Sequence, residues 1–355
     1  MERAGEGISI TTSRHFSEWL AGIGSSIAFS TYQAAKLFLV GLNANGSICV
    51  FERTFERAMA IGVFPGRRSF MLSTYYQFIR FDEVLPKDAG YDEFDVLFAP
   101  HQTWITGDVD AHDVAVLSDG TPLFVNTMYS CLATVSPGYS FKPIWRPPFI
   151  SRLAPEDRCH LNGMALEGGK PRYVTLVAAS DVTDGWRDRK ADGGLLWDIA
   201  AAKPVAEGLS MPHSPQLHKG RIWLLNAGTG DLGFVDGDTG RFHAVAFCPG
   251  YARGLAIVGR YAIVGISHPR IDGGFRGLPL DDALAKRGAE PRCGLIVVDL
   301  ETGDTVAWLR MEGATVRELF GVVVLPGIRK PALIGLRTNE VHRIVAMDES
   351  EMSKS

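Results

Sequence analysis

The 355-residue chain has little that would let it cross or cling to a membrane, or hold a nucleic acid. No apolar run approaches the roughly 20 residues that span a bilayer. Runs such as Leu295 to Val298 and Val322 to Pro326 are strand-sized. Lys and Arg (36) do not outnumber Asp and Glu (40), and the formal net charge is −4. The basic surplus that phosphate backbones and anionic lipids require is missing, so small molecules or peptides are the expected partners. The first twenty residues show neither the basic n-region nor the apolar h-region of a signal peptide, and a cytoplasmic location is the expectation. Five cysteines (Cys49, Cys131, Cys159, Cys248, Cys293) occur without any CxxC spacing, which argues for reduced thiols over a disulfide framework. No GxGxxG opens a helix, and P-loop, GxSxG and HExxH patterns are absent. Rossmann dehydrogenases, NTPases, α/β-hydrolases and zincins are thereby set aside.

Glycine (39) and proline (19) punctuate the chain too often for long helices. Between them runs a recurring unit: an apolar strand, a Gly-containing turn, a second apolar strand and a third. Copies begin at Ala58, His112, His160, His213, Arg253 and Glu318, with a divergent copy from Ser25. The dipeptides Asn45-Gly46, Asp119-Gly120 and Gly168-Gly169 fall where strands must reverse. Antiparallel meanders repeating every 35 to 50 residues bury their faces only against the next copy, which is the sequence pattern of an all-β β-propeller. We read seven blades, with six as the alternative. The whole chain, 1–355, reads as a single domain. Residues 1–24 supply a closing strand (Ile8 to Thr12) and a short helix (Ser17 to Gly22), and 347–355 form a disordered tail. Long inserts at Asp82 to Asp110, Trp145 to Cys159, Asp181 to Gly194 and His268 to Arg292 are expected to be binding loops or lids. The last contains LPLDDALAKRG, a helical pattern with Asp281 and Asp282 near its start.

In a propeller the innermost strands line a channel, and the residues that start them sit at one mouth. Here those residues are His112 and Asp113, His160 to Asn162, His213 and Ser214, Arg253, and Arg317 with Glu318. Three histidines from consecutive blades suit a zinc, copper or iron ion with an open position. Alignment places His213 one residue out of phase, so a turn or bulge near Pro212 and Pro215 is needed to bring it inward. Alternatives stay open: imidazoles that only cap strand starts, or an oxygen-ligand Ca²⁺ or Mg²⁺ site using Asn162, Asp113 and Glu318. Arg253 would bind a substrate carboxylate or pair with Glu318 or Asp113. Tyr129 and Glu318 are candidate proton carriers. DGWRDRKADGG, from Asp184, would bring Trp186 and Arg187 over the mouth if it folds inward.

The motifs FVNTMYSCLATVS, EDRCHLNGMAL, SDVTDGWRD, GLSMPHSPQL, LNAGTGDLGFVD and PGYARGLAIVG resemble, over nearly the whole chain, an uncharacterised bacterial family of conserved proteins with propeller-like strands. More distantly, HLNGMAL is similar to a strand of the gluconolactonase and regucalcin propellers. That likeness implies Asn162 as a divalent-metal ligand and a Ca²⁺-dependent lactonase-like hydrolase. Three blade histidines with an Arg and a Tyr also resemble the constellation of the peptidyl-hydroxyglycine lyase propeller, which holds zinc in its channel.

The leading expectation is a metal-dependent lyase, hydrolase or oxygenase acting on a small anionic molecule or peptide. The metal would lie on His112, His160 and His213, with Arg253, Glu318 and Tyr129 as catalytic residues. The second is a metal-free scaffold binding a peptide or protein through Trp104, Trp145 and Trp186.

Overall fold

The computed structural model describes residues 7–86, 89–269, 277–313 and 315–347. The strands form six antiparallel meanders arranged in a ring. The innermost strands are Ile61–Val63, Ala111–Val116, Leu161–Glu167, Pro212–His218, Tyr251–Val258 and Val322–Pro326, and each neighbours the next around the channel. The middle strands are buried on both faces, because each sheet is sandwiched between two others. Gly194–Asp198 and Gly294–Asp299 are buried throughout. They therefore read as the continuous apolar runs LLW and LIVV and not as an alternation.

The seven-blade expectation is corrected to six, for a topological reason. The copies from Ser25 and from Glu318 are two parts of one blade. Val322–Pro326 pairs with Ser25–Thr31 as its inner strand, and Lys36–Leu42 and Ile48–Thr54 complete it. The last strand of the ring thus closes the first blade. The N-terminal segment does not close the ring. Ser9–Thr12 adds a fifth, outermost strand to the preceding blade by pairing with Thr305–Glu312. After closure the chain crosses to the second blade, where Pro331–Leu333 lies parallel to Val96–Ile105.

One apolar layer fills each of the six interfaces. Between the closing blade and the second, for example, Phe70 stacks on Phe81 at 4.9 Å and meets Phe98 edge-on, with Leu39, Ile61 and Leu325 around them. Each such fully buried ring contributes about 1.5–3 kcal/mol. Two short helices pack outside this pattern. Phe16–Gly22 inserts Phe16 and Leu20 between the last blade and the first. Pro279–Arg287 starts on a proline, carries Asp281 and Asp282 in its first turn and stops at left-handed Gly288. It buries Leu280 and Leu284 in a separate cluster with Trp186, Met211 and Tyr251. Among the described residues no helix is long and apolar enough to cross a membrane. Of the tail expected at 347–355, residues 348–355 lie outside the described residues.

Gly254 marks a close seam between two inner strands. Its φ is +80°, and a Cβ there would stand 2.7 Å from the Phe320 carbonyl oxygen of the adjoining blade. Gly254→Ala is expected to cost about 2–3 kcal/mol, combining left-handed strain with that contact. Urea unfolding should show a lower midpoint at unchanged slope, and a wild-type midpoint would contradict the seam.

Candidate functional site

At the start of four consecutive inner strands the ladder is interrupted. His112 is skipped between Ala111 and Asp113, Asn162 between Leu161 and Gly163, Ser214 and Pro215 after His213, and Arg253 and Gly254 after Ala252. A bulge re-aims side chains out of the pleat. The bulge after His213 is the one that Pro212 and Pro215 suggest. His112, His160, His213 and Arg253 meet in one cavity of about 160 Å³, whose wall also includes Asp110, Asp157, Trp186, Tyr251 and Phe320. It shares His112 and Phe320 with the channel behind it.

The backbone around this cavity is strained. Asp110 (φ 47°), Asp157 (40°), His160 (48°), Met211 (46°) and Ser214 (51°) are all left-handed without being glycine. Each such residue costs on the order of 1 kcal/mol, and conformations of this kind cluster at functional sites. Here the strain orients imidazoles. The carbonyl of left-handed Asp110 accepts from His112 Nδ1 at 2.8 Å, and that of left-handed Met211 accepts from His213 Nδ1 at 2.7 Å. A carbonyl can only accept, so both Nδ1 atoms carry the hydrogen and the Nε2 atoms present bare lone pairs. His160 differs. Its Nδ1 lies 2.7 Å from Asp157 Oδ2, which also accepts from Trp186 Nε1 at 2.9 Å, and the Trp186 ring stacks on His160 at 4.1 Å.

Charge reinforces this arrangement. Burial, followed by the Arg253 cation, holds His112 and His213 well below the usual imidazole range, so both are neutral at pH 7. Burial raises the Asp110 carboxyl while Arg57, at 2.7 Å, pulls it back. Arg253 Cζ stands over the Phe320 ring, 3.6 Å from its centre, with Glu318 Oε1 3.6 Å from Nη1. Glu318 is 2% exposed and is not part of the cavity wall; it backs the arginine.

The other expected residues fall elsewhere. Tyr129 follows a turn after strand Pro122–Asn126, and its ring packs on Phe141 at 5.0 Å, because the blade face offers it an aromatic partner; it does not reach the cavity. Asn162 donates to the Pro212 carbonyl at 3.2 Å and bridges two blades. Asp113 faces the channel and accepts from Val114 and Met164 backbone amides. Trp186 and Arg187 do fold over the mouth. Trp104, Trp145 and Trp186 sit in three different apolar clusters and form no common rim. Burial pushes the Cys131, Cys159, Cys248 and Cys293 thiols up to about 12, which makes them poor nucleophiles. Among the described residues no group of three or more His, Cys, Asp or Glu side chains is placed to hold a metal ion.

Asp113 gives a test of the channel's electrostatics. Although it keeps some accessible area beside the channel, protein surrounds it, and burial raises its carboxyl from 3.8 to about 6. The folded state therefore binds this proton more tightly than the unfolded chain. The stabilisation is complete below pH 3.8 and is lost as pH rises through 6, a change of about 3 kcal/mol. Asp113→Asn, neutral at every pH, should gain on the wild type by that order between pH 4 and 7.5 in urea titrations. A pH-independent difference would show that Asp113 titrates normally.

Comparison with known proteins adds fold and family. A chain from the crystal structure of a nidogen/laminin complex superposes with a TM-score of 0.54 at 11% identity, covering 85% of this chain and 99% of that one. A protein of unknown function from Bacteroides caccae gives 0.48 at 11% identity, over 86% and 99%. No curated protein matches. The model of a domain of unknown function, DUF4915, matches residues 14–334, and with nearly all of the propeller inside that match the chain belongs to the DUF4915 family.

Proposed function

We propose that the cavity at the channel mouth binds a small carboxylate and moves a proton on it, with His160 as the base. The observation that carries this reading is the Asp157–His160 pair. A 2.7 Å contact fixes Nδ1 as donor, so Nε2 is the atom that takes a proton, and the carboxylate behind it compensates the charge that forms. Trp186 holds both members through its stack and its Nε1 hydrogen bond. Arg253 supplies the anion contact: its planar guanidinium is already oriented by Phe320 and backed by Glu318. The chemistry such a site supports is elimination, isomerisation or hydrolysis next to a carboxylate.

A metal reading has one observation in its favour. Metal-bound imidazoles donate their second nitrogen to a carboxylate or carbonyl, and all three histidines do so here. The buried Arg253 cation and the spacing of the donor groups weigh against it, so it stands second. In that reading His112, His160 and His213 would hold zinc, copper or iron as a Lewis acid. The lactonase-like reading has Asn162 Nδ2 donating to the Pro212 carbonyl and only its Oδ1 left to ligate, and Asn162 is not part of the wall of this cavity.

Titration calorimetry with a panel of small mono- and dicarboxylates should find at least one binder. Arg253→Met should weaken it about tenfold or more. His160→Asn should leave affinity nearly unchanged while abolishing any conversion of the bound acid seen by proton NMR, a loss of about 10²–10⁴. A panel without a binder, or undiminished binding by Arg253→Met, would remove the reading. Near-stoichiometric zinc, copper or iron in protein purified without a chelating tag, lost in His160→Asn, would put the metal reading first.

A further inference from the structure

Resting on that reading, the geometry goes further and defines what else the carboxylate must carry. Beside Arg253 the wall carries the imidazoles of His112 and His213, and the donor-bearing side chains Tyr32, Arg187 and Tyr251 complete it. His112 and His213 each have Nδ1–H committed to a backbone carbonyl, so the atom left for a ligand, Nε2, can only accept. A ligand that leaves such buried acceptors unmet forfeits roughly 1–3 kcal/mol for each. The complement of this wall is a molecule with an anion at one end and hydrogen-bond donors on the neighbouring atoms.

Two kinds of donor are possible, hydroxyl and ammonium, and the field of Arg253 separates them. That cation acts directly on both His112 and His213, where it disfavours a second positive charge. The same field that keeps the imidazoles neutral opposes an ammonium group set between them. A hydroxyl carries no charge and meets no such opposition. Asp110, the other carboxylate on the wall, is already paired with Arg57. Size narrows the class further. A cavity of about 160 Å³ is close to the volume that accommodates a benzene ring, which limits the buried part of the ligand to about six to eight non-hydrogen atoms.

We infer that the ligand is a small hydroxy acid, its carboxylate on Arg253 and its hydroxyls on the Nε2 atoms of His112 and His213, with the Asp157–His160 pair facing the carbon or hydroxyl between them. Trp186 and Phe320 close the site as flat apolar walls around that short carbon chain.

Four matched probes test the class by calorimetry at pH 7.5: glycerate, propionate, serine and glyceramide. Glycerate is expected to bind about tenfold or more tightly than propionate, which lacks the hydroxyls. It should exceed serine, which adds an ammonium, by a similar factor, and glyceramide, which lacks the anion, should not bind. His112→Phe should remove most of the advantage of glycerate over propionate. Should that variant not fold, the ligand series decides by itself. Propionate or serine binding as tightly as glycerate, or a panel that yields binders among plain carboxylates but none among hydroxy acids, would overturn the inference while leaving the carboxylate pocket standing. Failure of every carboxylate would instead remove the parent reading.

Discussion

A blade of this protein has no core of its own. Each sheet buries its two faces only against its neighbours, so the stability of any blade is conditional on the ring being complete. The strand that completes it is Val322–Pro326, hydrogen-bonded to Ser25–Thr31. The six interblade layers, from the phenylalanine cluster beside the closing blade to the Trp223, Leu225 and Leu255 layer on the far side, all depend on that one pairing. The strained turns of the site depend on it as well, since left-handed non-glycine residues persist only where surrounding structure over-determines them.

The site exploits the regularity of the ring by breaking it at one end. In each of the three histidine blades the chain enters its inner strand through a left-handed residue and a bulge, and the same local distortion presents a ring nitrogen. His112 and His213 are held in the same way, by a carbonyl two residues earlier. His160 is the variation: left-handed itself, bonded to a carboxylate three residues earlier and covered by Trp186. The repeat thus supplies two imidazoles held by backbone carbonyls and one held by a carboxylate.

Much of this was legible in the sequence. Turn dipeptides and apolar runs announce the meanders, and the polar residues at inner-strand starts announce His112, His160, His213 and Arg253. Even the displacement of His213 is signalled by its flanking prolines. The blade count was not legible, because two terminal half-repeats that look like separate copies share one sheet. Tyr129 misleads, since a strand-end tyrosine reads the same whether it faces the mouth or, as here, a phenylalanine on the blade. Asp110, Asp157 and Met211 were hidden for another reason. Their role comes from backbone conformation and from a carbonyl or carboxylate aimed at an imidazole, which residue type does not encode. Only the short spacings DAH, EDRCH and MPH hint at it. Tyr251 and Phe320 look like ordinary core aromatics until the ring brings them to the mouth.

Closure by the last strand also sets an order in time. Phe29 meets Val322 roughly 300 residues later, so during synthesis the first sheet emerges with the edge of Ser25–Thr31 bare and stays so until Val322–Pro326 has been made. Five blades can stack progressively in the meantime, each on the one before. The unpaired edge of the first is then the surface on which a nascent chain is most exposed to wrong strand partners. Docking of one five-residue strand, Val322–Pro326, both buries that edge and brings Phe320 to the Arg253 side of the cavity.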